Sequence, residues 1–94
     1  KIALDYIKNY EEKYNEPVST FGGYAYDALY LIVNAIKTSN SLEPKAIRDA
    51  IESTKSYAGL NGMFNMTKED HLGLDLDSGI KMLVIKNNDW ALAE

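Results

Sequence analysis

Ile2, Tyr6, Tyr10 and Tyr14 recur at every fourth residue, and Lys, Asp, Glu and Asn fill most of the positions between them. An apolar stripe with that spacing predicts an amphipathic helix with a tyrosine-rich face. Asn15, Glu16 and Pro17 end it, because a proline breaks the hydrogen-bond ladder and pushes the residue before it out of helical geometry. Residues 17–20 read as an extended connection. Ser19 or Thr20 can cap a second helix that runs to about Thr38, where Ser39, Asn40 and Ser41 close it. Between Tyr24 and Ile36 only Asp27 and Asn34 are strongly polar, a pattern that predicts burial around most of the helix circumference. Pro44, favoured in a first turn, opens a third helix with Ile47, Ala50 and Ile51 on one side and Lys45, Arg48, Asp49 and Glu52 on the other.

After Tyr57 the period changes. Gly59 and Gly62 bracket a turn, Met63, Phe64 and Met66 predict a short strand, and residues 68–79 form a polar loop with two glycines and three aspartates. Ile80 to Ile85 is rich in β-formers, and Trp90 to Leu92 can return antiparallel to it across Asn87, Asn88 and Asp89, which tolerate the left-handed conformations of tight hairpins. The expected architecture is an α+β piece: three helices, a short strand and a C-terminal β-hairpin.

That inventory leaves the second helix short of cover. Full burial of a Leu, Ile or Val side chain is worth about 1.5–3 kcal/mol, so leaving one side of Leu29, Leu31, Ile32, Val33 and Ile36 wet forfeits several such contributions. A sheet of buried parallel strands would match such a helix, and no Val- and Ile-rich run in the chain supplies one. The expectation is that the chain is part of a larger α/β fold or self-associates through this side. It also opens directly in a helical pattern without an initiating Met, so a preceding segment is expected to have been removed.

Composition narrows the function classes. At 46% hydrophobic and 26% charged over 94 residues, the chain has an ordinary globular balance that argues against disorder. Ten Lys and Arg against 14 Asp and Glu give a net charge of −4 without a basic stripe, which argues against a nucleic-acid partner. The absence of cysteine excludes disulfides, thiolate metal sites and cysteine nucleophiles. The longest apolar run, Ala28 to Val33, is far below the ~20 residues that span a bilayer.

Catalytic and metal motifs are thin. The single histidine, His71, follows Asp70 in a loop, but adjacent residues point in different directions and no nucleophile is singled out. Asp75, Asp77 and Gly79 alternate like the start of a calcium loop, yet Gly79 falls where a ligand belongs and no bidentate Glu follows at the required distance. Glycine-rich phosphate loops are absent. The tyrosines at helical spacing suit core or boundary positions with their hydroxyls reaching water. Phe21, Gly22, Gly23 and Tyr24 stand apart: two glycines at a helix N-terminus leave backbone N–H groups open to a polar ligand between aromatic walls, or else permit close packing.

The order of these pieces resembles the C-terminal portion of the solute-binding proteins of ABC transporters related to the leucine/isoleucine/valine-binding protein. The resemblance rests on a helix ending in Lys13, Tyr14 and Pro17, then YAYDALYL at Tyr24 to Leu31, and EPKAIRDAI at Glu43 to Ile51. It continues through the GLNG turn at Gly59 to Gly62, EDHLGLDLD at Glu69 to Asp77, and a final hairpin with Asp89 and Trp90. It implies a two-lobed α/β fold of the periplasmic-binding type I class that closes around a small solute by hinge motion. By that analogy residues 1–16 belong to the C-terminal lobe, 21–66 to the N-terminal lobe and 80–94 to the C-terminal lobe again. The implied function is binding of a branched-chain amino acid or similar small carboxylate for ABC-type import in the periplasm or another extracytoplasmic space. Its partners would be the solute, the transporter membrane subunits, and the remainder of the parent chain or a self-associated copy. No cofactor, covalent chemistry or nucleic acid is implied. Phe21, Gly22 and Tyr24 are the ligand-binding positions that carry over; the family's other contacts come from segments outside this chain, so the 94 residues alone are not expected to bind. A ligand-sensing domain of a receptor or regulator with the same fold, and a free-standing module that dimerises through the second helix, are the alternatives.

Overall fold

The computed structural model describes residues 1–93. Its elements follow one another as α1 (Ile2–Tyr14), α2 (Thr20–Ser39), α3 (Pro44–Glu52), β1 (Tyr57–Ala58), β2 (Met63–Phe64), α4 (Leu76–Gly79), β3 (Leu83–Lys86) and β4 (Asp89–Leu92). The three long helices lie where the apolar spacing puts them. Asn15 ends α1 in the left-handed conformation at φ 52°, its N–H donating to the Glu11 carbonyl, and Asn40 ends α2 in the same way at φ 49°. Both stops use asparagine because its short polar side chain tolerates that region. Pro44 occupies the first turn of α3. On its exposed side Lys45 and Arg48 hold the Asp49 carboxyl down to about 2, chiefly through their hydrogen bonds to it.

The core is small and centred on α2. Gly23, Asp27, Leu31 and Ala35 are buried along one stripe at intervals of four, and Phe64 of β2 is buried as well. α3 packs against α2. Along another face of α2 the apolar residues stay open: Phe21, Ala25, Ala28 and Ile32 are all exposed at the i, i+4, i+7, i+11 spacing. The burial expected from the apolar sequence is therefore met on one side only within this chain.

Two separate two-stranded antiparallel sheets replace the single expected strand and hairpin. β1 pairs with β2 through Tyr57↔Phe64 and Ala58↔Met63. Met66 continues past the strand and donates its N–H to the Thr54 carbonyl at 2.9 Å. β3 pairs with β4 in the register Leu83↔Leu92, Val84↔Ala91, Ile85↔Trp90 and Lys86↔Asp89. The turn between them is Asn87–Asn88, both at positive φ (55° and 63°), the geometry that matches the twist of a two-residue hairpin.

The hairpin begins later than the run Ile80 to Ile85 suggests. Asp75 caps a helical turn by accepting the Ser78 N–H at 2.9 Å, and the Ile80 N–H is taken by the Leu76 carbonyl, so residue 80 has no donor free for a strand. The polar loop is likewise built rather than open. Leu74 bridges Phe64, the Asp75 N–H donates to the Met63 carbonyl at 2.8 Å, and the Met63 N–H donates to Ser78 Oγ at 3.0 Å.

Candidate functional site

The N-terminus of α2 is the point where three parts of the chain meet. Ser19 sits in extended geometry (φ −118°, ψ 157°) and caps the helix, its hydroxyl accepting the Gly22 N–H at 3.4 Å. Extended backbone with a side-chain acceptor is the arrangement that starts a helix. Gly22 lies beneath Tyr6 of α1: a side chain added there would come within 2.7 Å of the Tyr6 hydroxyl. Gly23 faces the other way, buried against the Asn61 amide, whose oxygen would stand 3.3 Å from an added side chain.

The three residues expected to face a ligand separate on this turn. Gly22 lines a groove of about 710 Å³ between α1 and α2, walled by Tyr6, Tyr10, Tyr14, Tyr26 and Leu29. Phe21 is 84% exposed and starts the open apolar face of α2, whereas Tyr24, 49% exposed, stands one residue beyond Gly23. Neither Phe21 nor Tyr24 lines the groove. A ladder of aromatic rings crosses from one helix to the other, Tyr14 to Tyr10 at 4.8 Å, Tyr10 to Tyr6 at 6.0 Å, Tyr6 edge-on to Tyr26 at 5.2 Å and Tyr26 to Tyr30 at 4.6 Å. Such offset and edge contacts are favoured by the ring quadrupoles. They join helices whose direct connection is only residues 15–19.

One buried residue beside this turn was marked in the sequence only by its polarity. Asp27 is 2% exposed, and its carboxylate accepts three donors from the β1–β2 turn. These are the Leu60 N–H at 2.7 Å on Oδ1, with the Asn61 N–H at 3.0 Å and the Asn61 side-chain amide at 2.8 Å on Oδ2. Hydrogen bonds to a charged acceptor contribute about 1.5–3 kcal/mol each. The turn is closed by the Gly59 N–H donating to the Gly62 carbonyl at 2.9 Å. Burial raises the Tyr57 phenol above its ordinary range, and the nearby Asp27 charge adds to the effect.

The catalytic and calcium motifs resolve into local structure. His71 Nε2 faces Glu52 Oε1 at 3.2 Å, while Asp70 turns away to accept the Gly73 N–H at 3.0 Å. The sole histidine thus addresses a carboxylate and not a hydroxyl nucleophile. Asp75 is committed to its cap, and the Ser78 N–H holds its carboxyl below the usual range. What the region offers is a set of aromatic walls beside a capped helix N-terminus.

A family model described as periplasmic binding protein matches residues 1–76. This chain belongs to that family. Its structure is similar over its whole length to an extracellular ligand-binding receptor from Rhodopseudomonas palustris, with 29% identity and a TM-score of 0.84, covering 100% of this chain and 28% of the other. A periplasmic binding protein type 1 from Bordetella pertussis shares 32% identity at a TM-score of 0.74, over 98% of this chain and 28% of that one. A leucine-binding protein from Thermotoga maritima, at 21% identity, shares the fold with a TM-score of 0.75 over 99% of this chain and 25% of that one. No curated protein matches the chain in sequence. This periplasmic binding protein chain spans about a quarter of the length of these structures, and it is an α+β piece of their two-lobed type I fold. The family reading explains the open face of α2 in physical terms: a helix that is apolar all round needs layers on more than one side, and its relatives are several times longer.

Proposed function

We propose that this periplasmic binding protein chain is part of an extracytoplasmic solute-binding protein that delivers a branched-chain amino acid or similar small carboxylate to an ABC-type importer. The observation that carries the reading is the family match over residues 1–76, joined to whole-length likeness to a protein named as an extracellular ligand-binding receptor. In this reading residues 1–16 and 80–94 belong to the C-terminal lobe and residues 21–66 to the N-terminal lobe; Glu94 lies outside the described residues. Two features support the division. α1 meets α2 through the tyrosine ladder across a groove, and among the described residues the strands of the β3–β4 hairpin pair only with each other. Phe21, Gly22 and Tyr24, on the first turns of α2, are the ligand-facing residues of this segment.

The test is a thermal-shift series on the complete two-lobed protein with leucine, isoleucine, valine and benzoate, beside the 94-residue chain alone. A ligand that binds only the folded state adds about 2.7 kcal/mol of stability at a hundredfold excess over Kd. One or more of these solutes raises the Tm of the complete protein, and none moves the short chain. A complete protein indifferent to every amino acid and carboxylate tried refutes the reading.

A further inference from the structure

We infer that Asp27 is a positioning residue for the ligand-facing turn of α2, an inference that rests on the solute-binding reading given above. Its carboxylate does not face the groove. Instead it fills a concave backbone turn from the inside, taking the N–H groups of Leu60 and Asn61 together with the Asn61 amide. Consecutive N–H groups curled around one anion form a nest, and here the anion is supplied by the chain itself. The fit leaves no slack: a side chain at Gly59 would stand 2.8 Å from the Asp27 carboxylate.

The tether reaches the ligand-facing turn through one intermediary. Asp27 fixes the Asn61 amide at 2.8 Å, and that amide is the surface against which Gly23 packs, at 3.3 Å from an added side chain. Gly23 lies one helical turn before Asp27 on the same buried stripe, between Gly22 and Tyr24. The stack Asp27, Asn61, Gly23 therefore sets how far the first turn of α2 advances along its axis and how it is rotated.

Apolar packing alone does not set those two quantities. The remaining buried positions of α2 are Leu31 and Ala35, two side chains whose burial is non-directional, whereas three hydrogen bonds to one carboxylate are directional. The same turn continues into β2 and, through the Met63 N–H on Ser78 Oγ, into α4. Asp27 thus makes the start of α2 and the β1–β2 turn a single unit, so that residues 21–24 keep their place when the lobes move.

The experiment compares four variants of the complete two-lobed protein by calorimetric titration with the solute that stabilises it, and by amide hydrogen exchange at residues 20–24. Asp27→Asn turns an amide toward donors and breaks the nest. Asn61→Ala removes only the intermediary, which keeps the test open if the first variant fails to fold. Leu31→Ala is a buried α2 control away from the site, and the double variant Asp27→Asn/Asn61→Asp restores a carboxylate–amide pair with its members exchanged. Asn61→Ala and Asp27→Asn each weaken binding by about tenfold, since misplaced binding groups lose affinity steeply, and both speed exchange at residues 20–24. Leu31→Ala lowers Tm at least as much yet keeps Kd within about twofold, and the double variant recovers part of the affinity. Unchanged affinity in Asn61→Ala and Asp27→Asn, or an equal loss in Leu31→Ala at equal Tm, overturns the inference. A wild-type protein that binds none of the solutes overturns the solute-binding reading and the ligand side of this inference together; exchange at residues 20–24 then decides the tether alone.

Discussion

Asp27 is the residue on which most of this structure turns. Its signal in the sequence was that it is one of two strongly polar residues between Tyr24 and Ile36. What the sequence could not reveal was the partner, because the donors are mostly backbone N–H groups 33 and 34 residues further on, and backbone groups carry no residue-specific mark. The two glycines that touch this region differ in what they can tolerate. In Gly59→Ala the new methyl meets the held Asp27 carboxylate at 2.8 Å, so the substitution costs about 1–3 kcal/mol in the complete protein. In Gly22→Ala the obstacle is the free end of the Tyr6 side chain at 2.7 Å, which can swing aside, and alanine gains up to about 1 kcal/mol of helix propensity over glycine. Gly22→Ala therefore stays within about 1 kcal/mol of wild type. Denaturant unfolding of both variants checks the order, and a Gly22→Ala cost equal to that of Gly59→Ala contradicts it.

At the level of elements, the helices were legible and the strands were less so. Each helix boundary had a chemical cause readable in place: Pro17 after α1, Ser19 before α2, Pro44 in the first turn of α3. The strands failed where local side-chain chemistry overrode β propensity. Asp75 captured the Ser78 N–H and moved the start of β3 from residue 80 to residue 83, and β1 spans only two residues, too few to show alternation. The α4 turn carries its own acid sensitivity. The folded Asp75 carboxyl is depressed by its hydrogen bond from the Ser78 N–H, so its contribution is complete above the unfolded carboxylate value of about 3.9 and is lost as pH falls through the lower folded value. The Tm advantage of the complete wild-type protein over its Asp75→Asn variant accordingly persists at neutral pH and shrinks below about pH 4. An advantage that grows on acidification refutes the cap as its source.

The whole molecule is extended. Its radius of gyration is 15.7 Å and its dimensions are 50 × 31 × 19 Å, against about 12 Å for the radius of a compact domain of this length. Large apolar side chains are open on two surfaces: Phe21 and Ile32 on α2, and Leu83, Ile85, Trp90 and Leu92, which share one face of the hairpin. Contiguous exposed patches of this kind mark interfaces. The expectation of missing cover was legible from the apolar α2 sequence; the separation of the tyrosine groove from the exposed Phe21 face was not, because it depends on how α1 docks. The 94-residue chain in isolation binds a hydrophobic dye and either unfolds without cooperativity or sediments as an oligomer in analytical ultracentrifugation. A cooperatively melting monomer contradicts both the shape argument and self-association.

The β1–β2 turn has a consequence for chemical lifetime. Asn61 is followed by Gly62, a pair in which the asparagine side chain readily cyclises onto the next backbone nitrogen and emerges as aspartate or its isomer. Here the Asn61 amide nitrogen is engaged by Asp27 at 2.8 Å, a bond that must break before the side chain is free to rotate toward the Gly62 nitrogen. Folding therefore protects Asn61 from ageing. Once converted, the residue would set a second carboxylate against Asp27 and repel it, so deamidation in the unfolded chain also raises the barrier to rebuilding the same turn.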